Sequence, residues 1–442
     1  MERIEKVKKI LIISLALTLA FSLCACSELE KLKSELPPLP DTSATASPEP
    51  SAEPSPEATE APEESTAVQA GPRVMVNIKN TTIQEYDPAD GSQLILTFAY
   101  ETPSVYIEGR SEASAAINEY IALLDETYYT GNDYGVGSAT GFNLMLQQAQ
   151  DNYSYVVGTG AVDLPLELAS SQTVSVARAD ERILSLVYSY YEFTGGVHGN
   201  YVDRAYVFDS ETGEELTLDK LTTDFDAFTA FMVQYMVEKA ENEAYYSERI
   251  DPNTLAREQY SAAFGALLRE GSWYFGSEGL TVFSDAYEFG PYAAGSVEFT
   301  VPYEALEGVI DEKWFPAERS GEGEFVVKPL SEVSGGDTEI IDMVTVSDEG
   351  QELCLVSLGN VYDVKLSQVE YMDRFYETAQ LWHCSYMNDC ALQLKTLIPE
   401  GIPNLMLSYA TADGASRSLL ISQSGQDGSF TLVEEGSIEA VG

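Results

Sequence analysis

An α+β fold is predicted for this 442-residue chain: antiparallel sheets with packed helices in two modules, followed by a small all-β sandwich-like domain. Three observations predict it. Strand-like and helix-like runs follow one another without the strict alternation that marks a parallel α/β sheet. Beyond residue 338 helical spacing disappears, and short strand runs recur at the interval of a sandwich, with Asp413-Gly414 and Asp427-Gly428 as turns. Hydrophobic residues make up 44% of the chain and aromatics 11%, so a real core is available.

The chain opens with Arg3, Lys6, Lys8 and Lys9 ahead of an apolar run from Ile10 to Leu23, the layout of a secretory signal. That run is shorter than the ~20 residues a membrane-spanning helix needs. Leu23-Cys24-Ala25-Cys26 resembles a bacterial lipobox, with Leu at −3, a small Ala at −1 and Cys26 at +1. Cys24 fits worse, because Leu23 would stand directly before the cut. Residues 1–25 are therefore read as a lipoprotein signal peptide, with Cys26 as the lipidation site. Diacylglycerol on its thiol, at about 0.8 kcal/mol per buried CH₂, would hold the chain to the outer face of the cytoplasmic membrane. An uncleaved N-terminal anchor is the competing reading.

Residues 26–72 alternate Pro, Ser, Thr, Ala and Glu and carry almost no large apolar side chains, so nothing there repays the entropy of folding. They read as a disordered tether, reaching at most ~140 Å at ~3.1 Å per residue of polyproline II. About 370 residues follow, enough for two or three domains at ~100–200 residues each.

In the first module, 73–193, Val74, Val76 and Ile78 alternate with polar positions. Asp90-Gly91 then turns the chain into Leu94, Leu96, Phe98 and Tyr100, a hairpin signature. Ala113, Ala116, Ile117, Tyr120, Ile121 and Leu124 fall at helical spacing, with Ser111 as N-cap, and their apolar face is expected to cover that sheet. Strands are predicted at 173–177 and 182–193, the second too apolar for an edge and so central.

The second module, 194–316, starts with Gly195-Gly196-Val197-His198-Gly199-Asn200 and a strand from Tyr201 to Phe208, closed by a turn over 209–213. Two helices follow: one presents Phe225, Phe228, Phe231, Met232, Tyr235 and Met236, and the other runs from Leu255 to Leu268 with Gly271 as its C′ residue. Strands are predicted at 273–275, 280–283 and 297–301, with Pro302 opening a short helix through Ile310. Residues 317–337 read as a linker. In the all-β domain, 338–442, strands are predicted at 340–346, 353–358, 361–366, 379–384, 390–397, 405–409, 419–422 and 430–433.

Acidity is extreme: 72 Asp plus Glu against 24 Lys plus Arg give −48, and about −50 once the signal's four bases and two acids are removed. Nucleic acid and anionic headgroups are repelled, whereas a cationic protein is steered in. Plain solubility outside the cell is the competing explanation. Beyond the signal only Cys354, Cys384 and Cys390 remain. Of the three possible pairings a local Cys384–Cys390 staple is favoured, because both thiols flank a turn-like Tyr-Met-Asn-Asp stretch; three unpaired buried thiols are the alternative.

Chemistry-bearing motifs are scarce. His198 and His383 are the only histidines, too few for a metal site of two or three histidines around more than that pair. No Walker loop, dinucleotide fingerprint, His-Glu-x-x-His helix or Gly-x-Ser-x-Gly elbow occurs, so no catalytic residue, cofactor or metal is assigned. A triad of His198, a serine and Asp180 or Asp203 is available by abundance alone. Three glycines around His198 imply backbone angles or close approaches that a side chain would forbid. The loop is then either a structural clamp or ligand-facing, and Gly195, Gly196, His198, Gly199 and Asn200 are its candidates. Pro291 and Tyr292 are a second pair, with Asp285, Glu288 and Asp311 as a possible acidic rim.

The series Tyr191-x-x-x-Gly-Gly-Val-His-Gly-Asn200, Phe208-Asp209-x-x-Thr212-Gly213-x-x-Leu216-x-Leu218, Gly279-Leu280-x-Val282, Pro291-Tyr-Ala-Ala-Gly295 and Val301-Pro302-Tyr303 resembles one known family. It is the extracytoplasmic domain shared by RsiV-type anti-sigma factors and the N-terminal region of PdaC-type peptidoglycan deacetylases. The usual Gly-Gly-Ala-His-Gly is Gly-Gly-Val-His-Gly here, and the resemblance covers about 240 residues, 74–316. It implies an α+β envelope module, which in RsiV-type sensors binds host lysozyme. The sigma-binding segment and the deacetylase catalytic domain of those relatives have no counterpart motif here. The expectation is a lipid-anchored, non-catalytic envelope protein that binds a cationic, lysozyme-like protein or a cell-wall component. A wall-glycan hydrolase or deacetylase, or its accessory subunit, is the alternative.

Overall fold

The computed structural model describes residues 71–434 apart from 90, 132–139, 162–164, 373, 399–402 and 425–428. Contacts divide the chain after Ser65, and every described residue belongs to the second unit. Cys26, the tether, the Asp427-Gly428 turn and half of the Asp90-Gly91 turn lie outside the described residues.

The first hairpin is present as β1 (Val74–Tyr86) and β2 (Leu94–Ile107), paired in register from Val74↔Ile107 to Thr82↔Ala99 and beyond. Helix α1 (Ser111–Thr130) lays Ala113, Ile117, Ile121 and Leu124 on the sheet, as its apolar spacing requires. Its N-cap is Arg110 rather than Ser111, which is already helical and caps nothing. A second helix, α2 (Phe142–Thr159), stands where the sequence pattern predicts none; it buries only Met145, Ala149 and Val156.

Three antiparallel strands follow: β3 (Leu168–Ala179), β4 (Ile183–Phe193) and β5 (Asn200–Asp209), with the expected central strand, β4, between the other two. The second module then adds α3 (Phe225–Asn242) and α4 (Tyr260–Leu267). Asp224 caps α3 by accepting from the Ala227 amide at 3.0 Å. The second predicted helix is shorter than expected, and Leu268 rather than Gly271 ends it; Gly271 stands in a turn at φ 78°. A three-stranded sheet, β6 (Trp273–Phe275), β7 (Gly279–Phe283) and β8 (Glu298–Pro302), packs against these helices through Phe228, Met232, Met236, Phe264 and Phe299. The helix after Pro302 is one turn, Tyr303–Leu306.

The predicted linker at 317–337 is structured. It holds β9 (Gly323–Pro329) and a helical turn, Leu330–Val333, because Phe325 and Val333 are buried against the strands that follow. Those are β10 (Glu339–Thr345), β11 (Gln351–Tyr371), β12 (Phe375–Asn388), β13 (Cys390–Thr396), β14 (Leu405–Ala410), β15 (Ser416–Gln423) and β16 (Phe430–Glu434). Two predicted strands, 353–358 and 361–366, are one: β11 runs through Gly359 at φ 78°, pairing β9 and β13 before it and β12 and β14 after it.

The all-β C-terminal region is present, and its sheet runs on into that of the first region. The order β16-β15-β14-β11-β12-β1-β2-β3-β4-β5 is one sheet, joined where Met75, Val76 and Asn77 pair with Cys384, His383 and Trp382. Met75 is accordingly part of the C-terminal core. The predicted Cys384–Cys390 staple is absent: all three thiols are free and buried. Cys384 Sγ donates to the Tyr386 carbonyl at 3.1 Å, and Cys390 Sγ lies 3.9 Å from Ser357 Oγ.

One seam interrupts this sheet. β2 pairs β3 in parallel only from Leu96↔Leu168 to Tyr100↔Gln172, after which the strands part. Side chains take over the orphaned amides: Glu101 Oε2 accepts from Val174 N at 2.7 Å, and Gln380 Oε1, reaching over from β12, accepts from Val176 N at 3.0 Å.

Candidate functional site

The structure brings the two predicted loops together. Gly195 and Gly196 take φ of 97° and 109°, which a side chain resists, and a Cβ on Gly199 would enter the Tyr191 ring. The loop is thereby turned so that the exposed His198 ring lies flat on Tyr292, with centroids 4.2 Å apart and planes at 11°. Tyr287, held at φ 70° and 53% exposed, completes the group: its hydroxyl is 3.0 Å from His198 Nε2. His198 Nδ1 lies 2.9 Å from the Gly199 carbonyl oxygen, which can only accept, so Nδ1 carries the proton and Nε2 accepts from Tyr287. Neither partner is a carboxylate or a serine. Asp180 is bonded to Arg178, and Asp203 accepts from Ser189 Oγ at 2.5 Å, so neither orients His198.

Pro291 precedes the short turn Tyr292–Ala294 that carries this platform, and Asn200 opens β5 at its other side. The expected acidic rim is neutralised. Asp285 pairs with Arg204 at 2.8 Å and Arg269 at 3.4 Å, Glu288 pairs with Arg269 at 3.2 Å, and Asp311 caps the turn at 312–314. Arg204 and Arg269 thus brace the loop beneath Tyr292.

A small cavity of about 270 Å³ lies beside the platform, lined by Tyr201, Asp203, Asp285 and Tyr292 among others. Tyr201 and Asp203 also line a larger groove of about 560 Å³ that sequence reasoning missed. All three predicted regions build it: Ser175 and Ser189 come from the first, Asp203, Glu278 and Glu298 from the second, and Lys365, Glu377 and Gln380 from the third. Burial lifts the Asp203 carboxyl above the usual range, with the Asp285 charge adding to it, and burial then the Asp203 charge lift Glu298. Among the described residues no three His, Cys, Asp or Glu side chains are placed to hold a metal ion. The signal that marks the groove is polar alternation on otherwise apolar strands, Tyr201 with Asp203 on β5 and Glu298 with Thr300 on β8.

Comparison with known proteins follows the same geography. Residues 215–304 match the DUF3298 family, described as a protein of unknown function. No curated protein matches the chain. Among solved structures, a DUF3298 family member from Bacteroides fragilis NCTC 9343 is 17% identical, with a TM-score of 0.37 over 53% of this chain and 94% of its own. A DUF3298 family protein from Pseudomonas aeruginosa PAO1 is also 17% identical, with a TM-score of 0.35 over 55% of this chain and 97% of its own. The matched segment carries α3, α4 and the β6–β8 sheet, and ends short of every C-terminal residue in the groove.

Proposed function

We propose that this is a lipid-anchored, extracytoplasmic envelope protein that captures a ligand without turning it over, the ligand being a cationic protein of lysozyme-like character or a cell-wall component. The observation that carries this reading is the convergence of the 195–200 and 287–292 loops into an exposed His198–Tyr292–Tyr287 platform. Rigid aromatic side chains at a braced surface give contact area at low entropic cost, as binding hot spots do. The lipobox at Cys26 and the tether supply the address, and the charge of −48 favours a basic partner over nucleic acid or anionic lipid. Hydrolase or deacetylase chemistry through His198 is less well supported, because its two ring nitrogens are engaged by a main-chain carbonyl and a tyrosine.

Capture of hen lysozyme and of purified peptidoglycan by the full chain, with and without about 0.5 M salt, tests the proposal. Tyr292→Ala is expected to weaken capture about tenfold while leaving the circular dichroism spectrum unchanged. Release of soluble fragments or free acetate from peptidoglycan, abolished by His198→Ala in a folded protein, would replace it with the enzymatic reading.

A further inference from the structure

We infer that the groove where the three regions meet receives an organic cation carried on a peptide, a lysine or arginine side chain, with Gln380 contacting a neighbouring main-chain carbonyl. The inference rests on the capture reading and gives it a ligand chemistry.

Asp203, Glu278, Glu298 and Glu377 line one cavity, and Lys365 is the only cation among the lining residues, already 3.6 Å from Asp363. Burial lifts both Glu298 and Asp203 above the ordinary carboxylate range, and the Asp203 charge adds to the lift of Glu298. A cation entering the groove relieves that repulsion, whereas an uncharged polyol leaves it in place. The carboxylates come from β5, β8, β12 and the bend before β7 and, among the described residues, converge on no metal-sized point. A long, flexible organic cation fits this spacing better than a bare ion.

Gln380 points to the rest of the ligand independently of charge. It lines the groove at 9% exposure, its Oε1 is spent on the Val176 amide, and its Nε2 is a buried donor with no acceptor. A donor left in that state costs about 1–3 kcal/mol, which a ligand carbonyl oxygen would offset. Ammonium or guanidinium at the carboxylates and a carbonyl at Gln380 together describe a basic residue in a peptide. Asp203, Glu298, Glu377 and Gln380 sit on β5, β8 and β12, so most of the receptor is formed before the ligand arrives.

Calorimetric titration of the full chain with tri-lysine amide, its ε-acetylated counterpart and 1,5-diaminopentane tests this. Tri-lysine amide is expected to bind, to lose about tenfold in affinity against Glu298→Gln, and to change less than about twofold against Glu119→Gln on the exposed face of α1. The acetylated peptide, which lacks the side-chain cations and keeps only its α-ammonium, and the diamine, which lacks the carbonyl, are each expected to bind at least about tenfold more weakly. Equal losses in Glu298→Gln and Glu119→Gln would reduce the effect to diffuse attraction and overturn the inference. So would equal binding of the acetylated peptide, or no binding of tri-lysine amide. Retained, Tyr292-dependent capture of lysozyme or peptidoglycan in that event would leave the broader proposal standing.

Discussion

Glu101 is a residue whose protonation the fold controls directly. At 2% exposure its carboxyl is pushed up to about 7 by burial, and the Val174 amide only partly opposes this. A carboxyl raised in the folded state binds its proton more tightly there than in the unfolded chain. Its contribution is therefore favourable at low pH, declines as pH rises from the unfolded value near 4.5 to about 7, and is flat beyond. Glu101→Gln keeps an acceptor for Val174 and removes the charge. It is expected to stabilise the protein by about 1–3 kcal/mol at pH 8 and to change little at pH 4, as read by denaturant unfolding at the two values. Arg178 offers a second test. Its guanidinium, 5% exposed, donates to Asp180 at 2.6 Å, Tyr303 Oη at 2.8 Å and the Trp314 carbonyl at 2.8 Å, joining the first region to the second. Arg178→Ala should cost about 3 kcal/mol in thermal or chemical unfolding, because three acceptors lose their donor at once.

Among the elements, β7 is the least tolerant. A Cβ at Gly279 would meet the Val301 carbonyl oxygen on β8, so Gly279→Ala is expected to cost about 1–3 kcal/mol and to loosen amide protection along β8. Elements with a broad apolar period are legible in the sequence: β1, β2, α1, β4 and α3 carry their burial pattern openly. Helix α2 is not, because three buried residues in 18 leave too thin a stripe to stand out among its glutamines and asparagines. Strand β9 buries only Phe325, and its neighbouring glycines and serine read as linker. The site divides in the same way. Glycines and aromatics announce the platform loops locally, and the fold brings those loops together. Nothing local announces the groove as a whole, whose residues run from Ser175 to Gln380 and become neighbours only through strand pairing. The cysteine pair misleads for the reverse reason: closeness in sequence does not by itself make a bridge, and both thiols stand free in the same buried core.

At the scale of the molecule, the β1–β12 ladder makes the C-terminal strands part of the first region's sheet. A chain ending at residue 337 would turn β1 into an open edge and uncover Met75. It is expected to melt at a lower temperature than the full chain and to be cut by protease within the first region. The same ladder also has a mechanical consequence. Asn77, four residues beyond Arg73, pairs with Trp382 of β12, two residues from Gln380 in the groove. If, as proposed, the N-terminus is anchored and a ligand sits at Gln380, a pull between them would cross a few hydrogen-bonded rungs between β1 and β12. The β6–β8 sheet, which carries Glu298, lies off that line and would feel the pull only through the ligand itself.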